Sequence, residues 1–135
     1  MNKSFSFINP ESLLPSRGYS NGVLAPAGGQ MLFIAGQIGW DEQQRIVSTD
    51  FVEQFDRALM NVLAVVAAAG GTPEQIARLV IYVTDKNEYR AARRAVGERY
   101  RARMNRHFPA MVLVEVKSLL EDEAKVEIEA IAVIQ

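Results

Sequence analysis

The sequence predicts an α+β fold in which two main helices pack on one face of a mixed β-sheet. Three observations lead to this prediction. Strand-like and amphipathic helical segments follow one another in the order β-β-β, α, β, α, β-β, and no repeat or linker interrupts them. The chain has 135 residues, of which 49% are hydrophobic, so we expect residues 1–135 to form a single domain.

The N-terminal part contains three predicted strands, at residues 5–8, 22–25 and 31–38. Asn9-Pro10 ends the first strand, and a loop rich in turn-forming residues follows it. We expect the second and third strands to form a hairpin, because Gly28-Gly29 between them favours a tight turn.

A long helix is predicted next. Asp50 and Glu53 have the spacing of a capping box, and Gly70-Gly71 marks the end of the helix. The apolar residues between them recur at helical spacing and are Phe51, Phe55, Leu59, Val62, Leu63 and Val66. The rest of the chain alternates turns, strands and one helix, at residues 72–75 (turn), 79–83 (strand), 87–104 (helix), 110–116 (strand), 121–123 (turn) and 124–134 (strand).

The last strand carries two carboxylates on one side. Strand side chains alternate between faces, so Glu127 and Glu129 point the same way as Ile131 and Val133. A face that mixes acids with aliphatic residues indicates a pocket or a subunit interface. The alternative is an edge strand with solvated glutamates.

The strand at residues 110–116 is apolar on both of its faces. Met111 and Leu113 lie on one face, and Val112 and Val114 lie on the other. The helices can cover only one face of the sheet, so we expect a neighbouring subunit to cover the second.

Composition excludes several classes of function. A net charge of −1 argues against a protein that coats nucleic acid or an acidic membrane. The chain has no cysteine and a single histidine, His107, which argues against a metal site and a His-based triad. No segment approaches transmembrane length, and the N-terminus lacks the apolar stretch of a signal peptide, so we expect a cytoplasmic protein.

Four segments of the sequence resemble the Rid family, the reactive-intermediate deaminases also called the YjgF family. They are GYSNG (18–22), IAGQI (34–38), PAMVLVEV (109–116) and VEIEAIAV (126–133). The resemblance implies a chorismate-mutase-like fold and a homotrimer whose sheets form a central barrel with clefts between subunits. It also implies hydrolysis of enamines and imines to 2-keto acids and ammonia, without a cofactor.

The resemblance also assigns roles to individual residues. Tyr19 matches a tyrosine that closes the cleft, and Glu127 matches a glutamate that positions the attacking water. Gly36 matches a glycine whose backbone lines the cleft. Leu113 takes the place of a residue whose backbone carbonyl faces the water, a role that a change of side chain preserves.

Three positions depart from the family pattern. Met111 stands where the family has the arginine that grips the substrate carboxylate, Ala35 replaces a serine, and Arg93 replaces an asparagine. A thioether cannot donate a hydrogen bond, and each lost charge-assisted bond removes about 1.5–3 kcal/mol. The chain therefore resembles the arginine-lacking members of the family, and activity on ordinary 2-imino acids does not follow from the resemblance.

Two arginines could replace the missing one. Arg93 falls within the apolar stripe of the second helix, whereas Arg90, Arg94 and Arg101 fall outside it. Arg17 lies two residues before Tyr19, in the loop expected to line the cleft. The alternatives are that Arg93 snorkels or pairs with Glu127 or Glu129, and that Arg17 is solvated.

The remaining candidates have structural alternatives as well. Met111, Leu113 and Ala35 would make an apolar pocket floor, or they belong to the barrel core. Tyr19 could be a packed loop aromatic. We expect His107 to be a surface or turn residue.

Three functions remain open. The first is a Rid-type hydrolase of an enamine or imine with altered carboxylate recognition. The second is a non-catalytic trimer that binds a small metabolite, which Met111 favours. The third is RNA binding or cleavage, because residues 85–108 are locally basic. It is least favoured, since these arginines scatter around the helix and no aromatic platform accompanies them.

Overall fold

The computed structural model describes residues 4–135. Residues 1–3 belong to the N-terminal segment for which the sequence predicts no signal peptide, and they lie outside the described residues. A four-stranded sheet forms its centre and consists of β3 (Gln30–Ile38), β4 (Ile76–Val83), β5 (Ala110–Glu115) and β6 (Val126–Ile134). The strand order is β3-β6-β4-β5. β6 is antiparallel to both of its neighbours, whereas β4 and β5 are parallel, so the sheet is mixed as predicted.

The helices pack on one face of this sheet. They are α1 (Phe51–Ala68), α2 (Lys86–Ala91) and α3 (Arg93–Met104). The Asp50 side chain caps α1 by accepting a hydrogen bond from the N–H of Glu53, and Gly70 follows the helix with a positive φ of 82°. The core lies between the helices and the sheet, and among its fully buried members are Leu59, Val62, Leu79, Val126 and Ile128.

The predicted hairpin at Gly28-Gly29 is wrong. β2 (Gly22–Leu24) pairs with β1 (Ser6–Ile8) in a separate two-stranded sheet, while β3 pairs with β6. The segment between β2 and β3 includes Pro26, which has no N–H to donate to a strand ladder. Gly28 does adopt a positive φ of 93°, so the turn exists although it joins two different sheets.

The predicted helix at residues 87–104 is interrupted once. α2 ends at Ala91 and α3 begins at Arg93, because Ala92 leaves the helical region with φ −98° and ψ 7°. Asp85 caps α2 by accepting hydrogen bonds from Asn87 and Glu88. No helix within residues 4–135 is long and apolar enough to cross a membrane.

The second face of the sheet is not covered by the helices. It exposes large apolar side chains on its two edge strands, β3 and β5, including Phe33 (70% exposed), Met31 (61%) and Val112 (41%). Met111 and Leu113, on the opposite face of β5, are half-buried and pack against the core. The prediction that β5 is apolar on both faces, with only one of them covered within the chain, is confirmed.

Candidate functional site

A cleft of about 720 Å³ lies between β5, α3 and the loop that precedes β2. It collects five of the eight predicted site residues: Arg17, Tyr19, Arg93, Met111 and Leu113. Met111 and Leu113 form part of the floor together with Phe108 and Ile81, so the floor is apolar.

Hydrogen bonds hold the loop that carries Arg17 and Tyr19. The Asn9 side-chain oxygen accepts bonds from the Asn21 N–H (2.8 Å) and from the Ser16 hydroxyl (3.3 Å). Ser20 is buried, and its hydroxyl donates to the Phe108 carbonyl at 2.6 Å. Because Ser20 follows Tyr19 directly, this bond fixes the tyrosine at the mouth of the cleft.

Tyr100 forms part of the wall of the cleft beside this floor. Tyr100 is buried and donates its O–H to the His107 carbonyl (2.7 Å), and its ring stacks on Phe108 with 5.6 Å between centroids. Burial raises the pKa of Tyr100 well above the ordinary phenol value, so this hydroxyl stays protonated. Tyr100 therefore shapes the cleft rather than acting as a base.

The prediction that His107 is a surface or turn residue is wrong. Its side chain is 6% exposed, and Nε2 lies 2.7 Å from the Ile76 carbonyl. The rings of Phe5 and Phe7 pack against the imidazole, at centroid distances of 6.0 and 5.7 Å. His107 thus ties the two-stranded sheet to the start of β4 and lies outside the cleft.

Three arginines line the cleft without a carboxylate partner. The Arg93 guanidinium lies 5.8 Å from the centre of the Tyr89 ring, which is in turn held edge-on by Phe51. Among residues 4–135, none of the side chains of Arg17, Arg93 and Arg101 makes a hydrogen bond or ion pair, and the cleft lining contains no Asp or Glu. The cleft is therefore cationic over an apolar floor.

Arg101 was expected to lie outside the apolar stripe, yet it lines the cleft. Gly97 precedes it by one helical turn, and a Cβ atom at Gly97 would lie 3.1 Å from Arg101 Nη1. The missing side chain of Gly97 leaves the space in which the guanidinium lies. A glycine one turn before an arginine was the sequence signal that could have identified Arg101.

The other predicted residues lie elsewhere on the chain. Glu127 extends from β6 on the face of the sheet opposite the helices, and its carboxylate lies against Gly36 of β3. It makes no hydrogen bond or ion pair within the described residues. Glu129 differs, because it accepts a short hydrogen bond from the Tyr82 hydroxyl, which raises the pKa of Tyr82.

Gly36 has to be a glycine if Glu127 is to keep this position. A Cβ atom at residue 36 would lie 2.8 Å from the carboxyl carbon of Glu127 and 3.0 Å from its Cγ. Ala35, the preceding residue, is exposed, and its carbonyl accepts a hydrogen bond from the Gln37 side chain (3.2 Å). The β3–β6 register shifts at this point, between Ile34 and Gln37, which opens the strand.

The predicted site residues thus form two groups on different surfaces of one chain. The cleft group contains Arg17, Tyr19, Arg93, Met111 and Leu113, and the carboxylate group contains Ala35, Gly36 and Glu127. Neither group holds a metal-binding arrangement: residues 4–135 contain no cluster of three or more His, Asp or Glu side chains that could ligate an ion.

Comparison with known proteins identifies the family. The family model described as Endoribonuclease L-PSP matches residues 10–134. The chain is 39% identical, over 78% of its length and 80% of the relative, to the 2-iminobutanoate/2-iminopropanoate deaminase of Salmonella typhimurium.

Solved structures confirm the predicted fold. YyfB of Yersinia pestis, a protein of the Rid family of unknown function, superposes with a TM-score of 0.86 at 31% identity, over 97% of this chain and 99% of that one. TdcF of E. coli with bound serine superposes with a TM-score of 0.68 at 32% identity, over 94% of each chain. This chain belongs to the Rid family of reactive-intermediate deaminases.

Proposed function

We propose that the protein hydrolyses an enamine or imine of a small carboxylic acid, in a cleft shared by two copies of the chain within a homotrimer. The observation that carries this proposal is the unpaired Arg93, which lines the cleft whose floor contains Met111. A guanidinium with no partner beside an apolar floor is suited to bind a carboxylate through two parallel hydrogen bonds.

A second copy of the chain would complete the site. A general base must come within about 3 Å of the water that it activates, directly or through one further water. Within one chain Glu127 lies on the open face of the sheet, whereas Tyr19 and Met111 lie at the cleft. If the open face of one copy covers the cleft of another, Glu127 reaches the cleft. The exposed Phe33 and Val112 support such a contact, because it would bury them.

The proposed chemistry balances without a cofactor. Water adds to the imine carbon, the resulting carbinolamine loses ammonia, and a 2-keto acid remains. Glu127 would take a proton from the water and return it to the departing nitrogen. The Leu113 carbonyl would orient the water, Tyr19 would close the cleft, and Arg93 or Arg17 would hold the carboxylate in place of the family arginine.

Hydrolysis of 2-iminobutanoate, generated in situ by an amino-acid oxidase, tests this proposal. We expect the wild type to exceed the buffer rate, and Arg93→Gln or Arg17→Gln to raise KM about tenfold or more. Arg90→Gln is the matched control, because Arg90 is also unpaired but does not line the cleft. If only Met111→Arg is active, the water-activating groups work but the natural ligand is not a simple 2-imino acid. Inactivity of wild type and of Met111→Arg, on 2-iminobutanoate and on the dicarboxylic 2-iminopentanedioate alike, would reject the hydrolase.

A non-catalytic metabolite-binding trimer is the second candidate. The apolar floor formed by Met111, Leu113 and Phe108 favours it, because such a floor binds a ligand without polarising it. It predicts that Glu127→Gln leaves ligand affinity unchanged and that no imine is hydrolysed faster than in buffer.

RNA cleavage finds less support. Of the arginines in residues 85–108, Arg99 and Arg103 pair with Asp56, and Arg94 pairs with Glu98. The single histidine, His107, is buried. These contacts remove much of the local positive charge that phosphate binding would require.

A further inference from the structure

We infer that the cleft binds a ligand with two acid groups, one at Arg93 and one at Arg101, and that the substrate is therefore an imine or enamine of a dicarboxylic acid. The reaction part of this inference rests on the proposed function, whereas binding of the two acid groups rests on the cleft alone.

The charge of the cleft exceeds what one carboxylate can balance. The chain as a whole has a net charge of −1, yet three arginines and no acidic residue line this cleft. Arg57, Arg99 and Arg103, which lie elsewhere, all pair with carboxylates. Apolar neighbours such as Met111 and Phe108 strengthen both the repulsion between the guanidinium groups and their attraction for an anion.

The two guanidinium groups lie too far apart to share a single carboxylate. Arg93 reaches back one turn to the Tyr89 ring, and Arg101 reaches back one turn to Gly97. Arg93 and Arg101 both belong to α3 and are eight residues apart, which corresponds to about 12 Å along a helix that rises about 1.5 Å per residue. The two positions are therefore separate ends of one cleft.

A five-carbon diacid fits this spacing. Its two carboxyl carbons lie about 5 Å apart in the extended form, since each of its four C–C bonds is about 1.5 Å long. Each bidentate contact adds about 4 Å between the carboxyl and guanidinium carbons, for hydrogen bonds of about 2.8 Å. The total is about 13 Å, and the methylene groups between the acids would lie on the apolar floor at Met111 and Leu113.

Gly97 provides independent support. Glycine in the interior of a helix costs about 1 kcal/mol relative to alanine, so a helix gains nothing from it locally. Here it leaves room for the Arg101 guanidinium, which a Cβ atom would approach to 3.1 Å. The glycine is thus a positioning residue for an arginine that has no partner among residues 4–135.

Calorimetric titration with two stable keto acids of equal length tests the inference. The probes are 2-oxopentanedioate, with two carboxylates, and 2-oxopentanoate, with one, at 0.15 M salt and constant protein concentration. We expect wild type to bind the dianion at least about tenfold more tightly. Arg101→Gln should abolish this preference, whereas Arg90→Gln, with an unpaired arginine outside the cleft, should keep it. Equal affinities in wild type, or equal losses in both variants, would overturn the inference.

The same preparations separate this inference from the proposed function. If 2-iminobutanoate is hydrolysed but the dianion binds no better than the monoanion, the diacid inference fails and the hydrolase stands. If the dianion binds preferentially through Arg101 but neither 2-iminobutanoate nor 2-iminopentanedioate is hydrolysed, the anion site stands and the hydrolase fails.

Discussion

Glu127 and Met111 lie on opposite faces of the same sheet, on strands that β4 separates. Met111 packs towards the helices at the floor of a cationic cleft, whereas the Glu127 carboxylate lies against Gly36 on the open face. A single chain therefore cannot bring this carboxylate to a ligand held over Met111. The separation explains why the proposed site requires two copies of the chain.

The first prediction concerns Glu127. We expect Glu127→Gln to lower kcat by about 10²–10⁴-fold, because it removes the proposed general base. The melting temperature should change little, since the carboxylate has no partner within the described residues. Glu129→Gln is the control: it weakens the contact with Tyr82 but should leave kcat within a few-fold of wild type. Full activity of Glu127→Gln would exclude its catalytic role.

The second prediction concerns Gly36. Gly36→Ala should displace the Glu127 carboxylate and lower kcat about 10²-fold. A displacement of a catalytic group by about 1 Å lowers the reaction rate by about this factor. The displaced atoms belong to the end of a flexible side chain, so the melting temperature should be nearly unchanged. In a Glu127→Gln background, Gly36→Ala should lower kcat only slightly further, because the carboxylate that it displaces is already absent. Full additivity of the two effects would show that Gly36 acts in another way.

The third prediction concerns Gly97. Gly97→Ala should stabilise α3 by up to about 1 kcal/mol and raise the melting temperature by about 3 °C at fixed protomer concentration. It should also weaken binding of 2-oxopentanedioate, because the Arg101 guanidinium has to move. A gain in stability with unchanged affinity would show that Arg101 does not need this space.

The fourth prediction concerns pH. The hydrogen bond from Arg103 holds the pKa of Asp56 below its usual value of 3.8. A carboxyl whose folded-state pKa is depressed stabilises the fold above its unfolded-state pKa, and this contribution disappears as the pH falls through the folded-state pKa. Arg103→Gln should therefore reduce the free energy of unfolding by about 1 kcal/mol at pH 7 and by less near pH 2.

Urea unfolding at both pH values measures this difference. Arg94→Gln is the control, because Arg94 and Glu98 form an exposed pair, with 95% and 61% of their side chains accessible. It should have no measurable effect at either pH. An equal loss of stability at pH 7 and pH 2 in Arg103→Gln would mean that Arg103 contributes packing rather than charge.

Elements with local signals could be predicted from the sequence. The cap at Asp50, the apolar stripe of α1 and the alternation of β6 depend on nearby residues, so their patterns identify them. The β1–β2 pairing could not be predicted in this way. Each strand has three residues, and their pairing depends on contacts far along the chain, such as that of Asn9 with Asn21.

The candidate site was only partly predictable for a related reason. The sequence places Arg93 on the cleft side of its helix, but the break at Ala92 and the space above Gly97 decide where Arg101 lies. Likewise, the burial of His107 depends on Phe5 and Phe7, which are about 100 residues away.

Mixed oligomers test the shared site most directly. The Glu127→Gln protein lacks the carboxylate but keeps an open cleft, whereas the Gly97→Trp protein keeps Glu127 but has its cleft filled by the indole ring. Each protein alone should therefore be inactive on the imine that wild type hydrolyses. The two are unfolded together, refolded at equal concentrations, and shown by native mass spectrometry to form mixed trimers. A site between subunits predicts recovery of about a quarter of wild-type activity, because about one interface in four then pairs an intact cleft with an intact Glu127. No recovery in trimers that contain both chains would contradict the account.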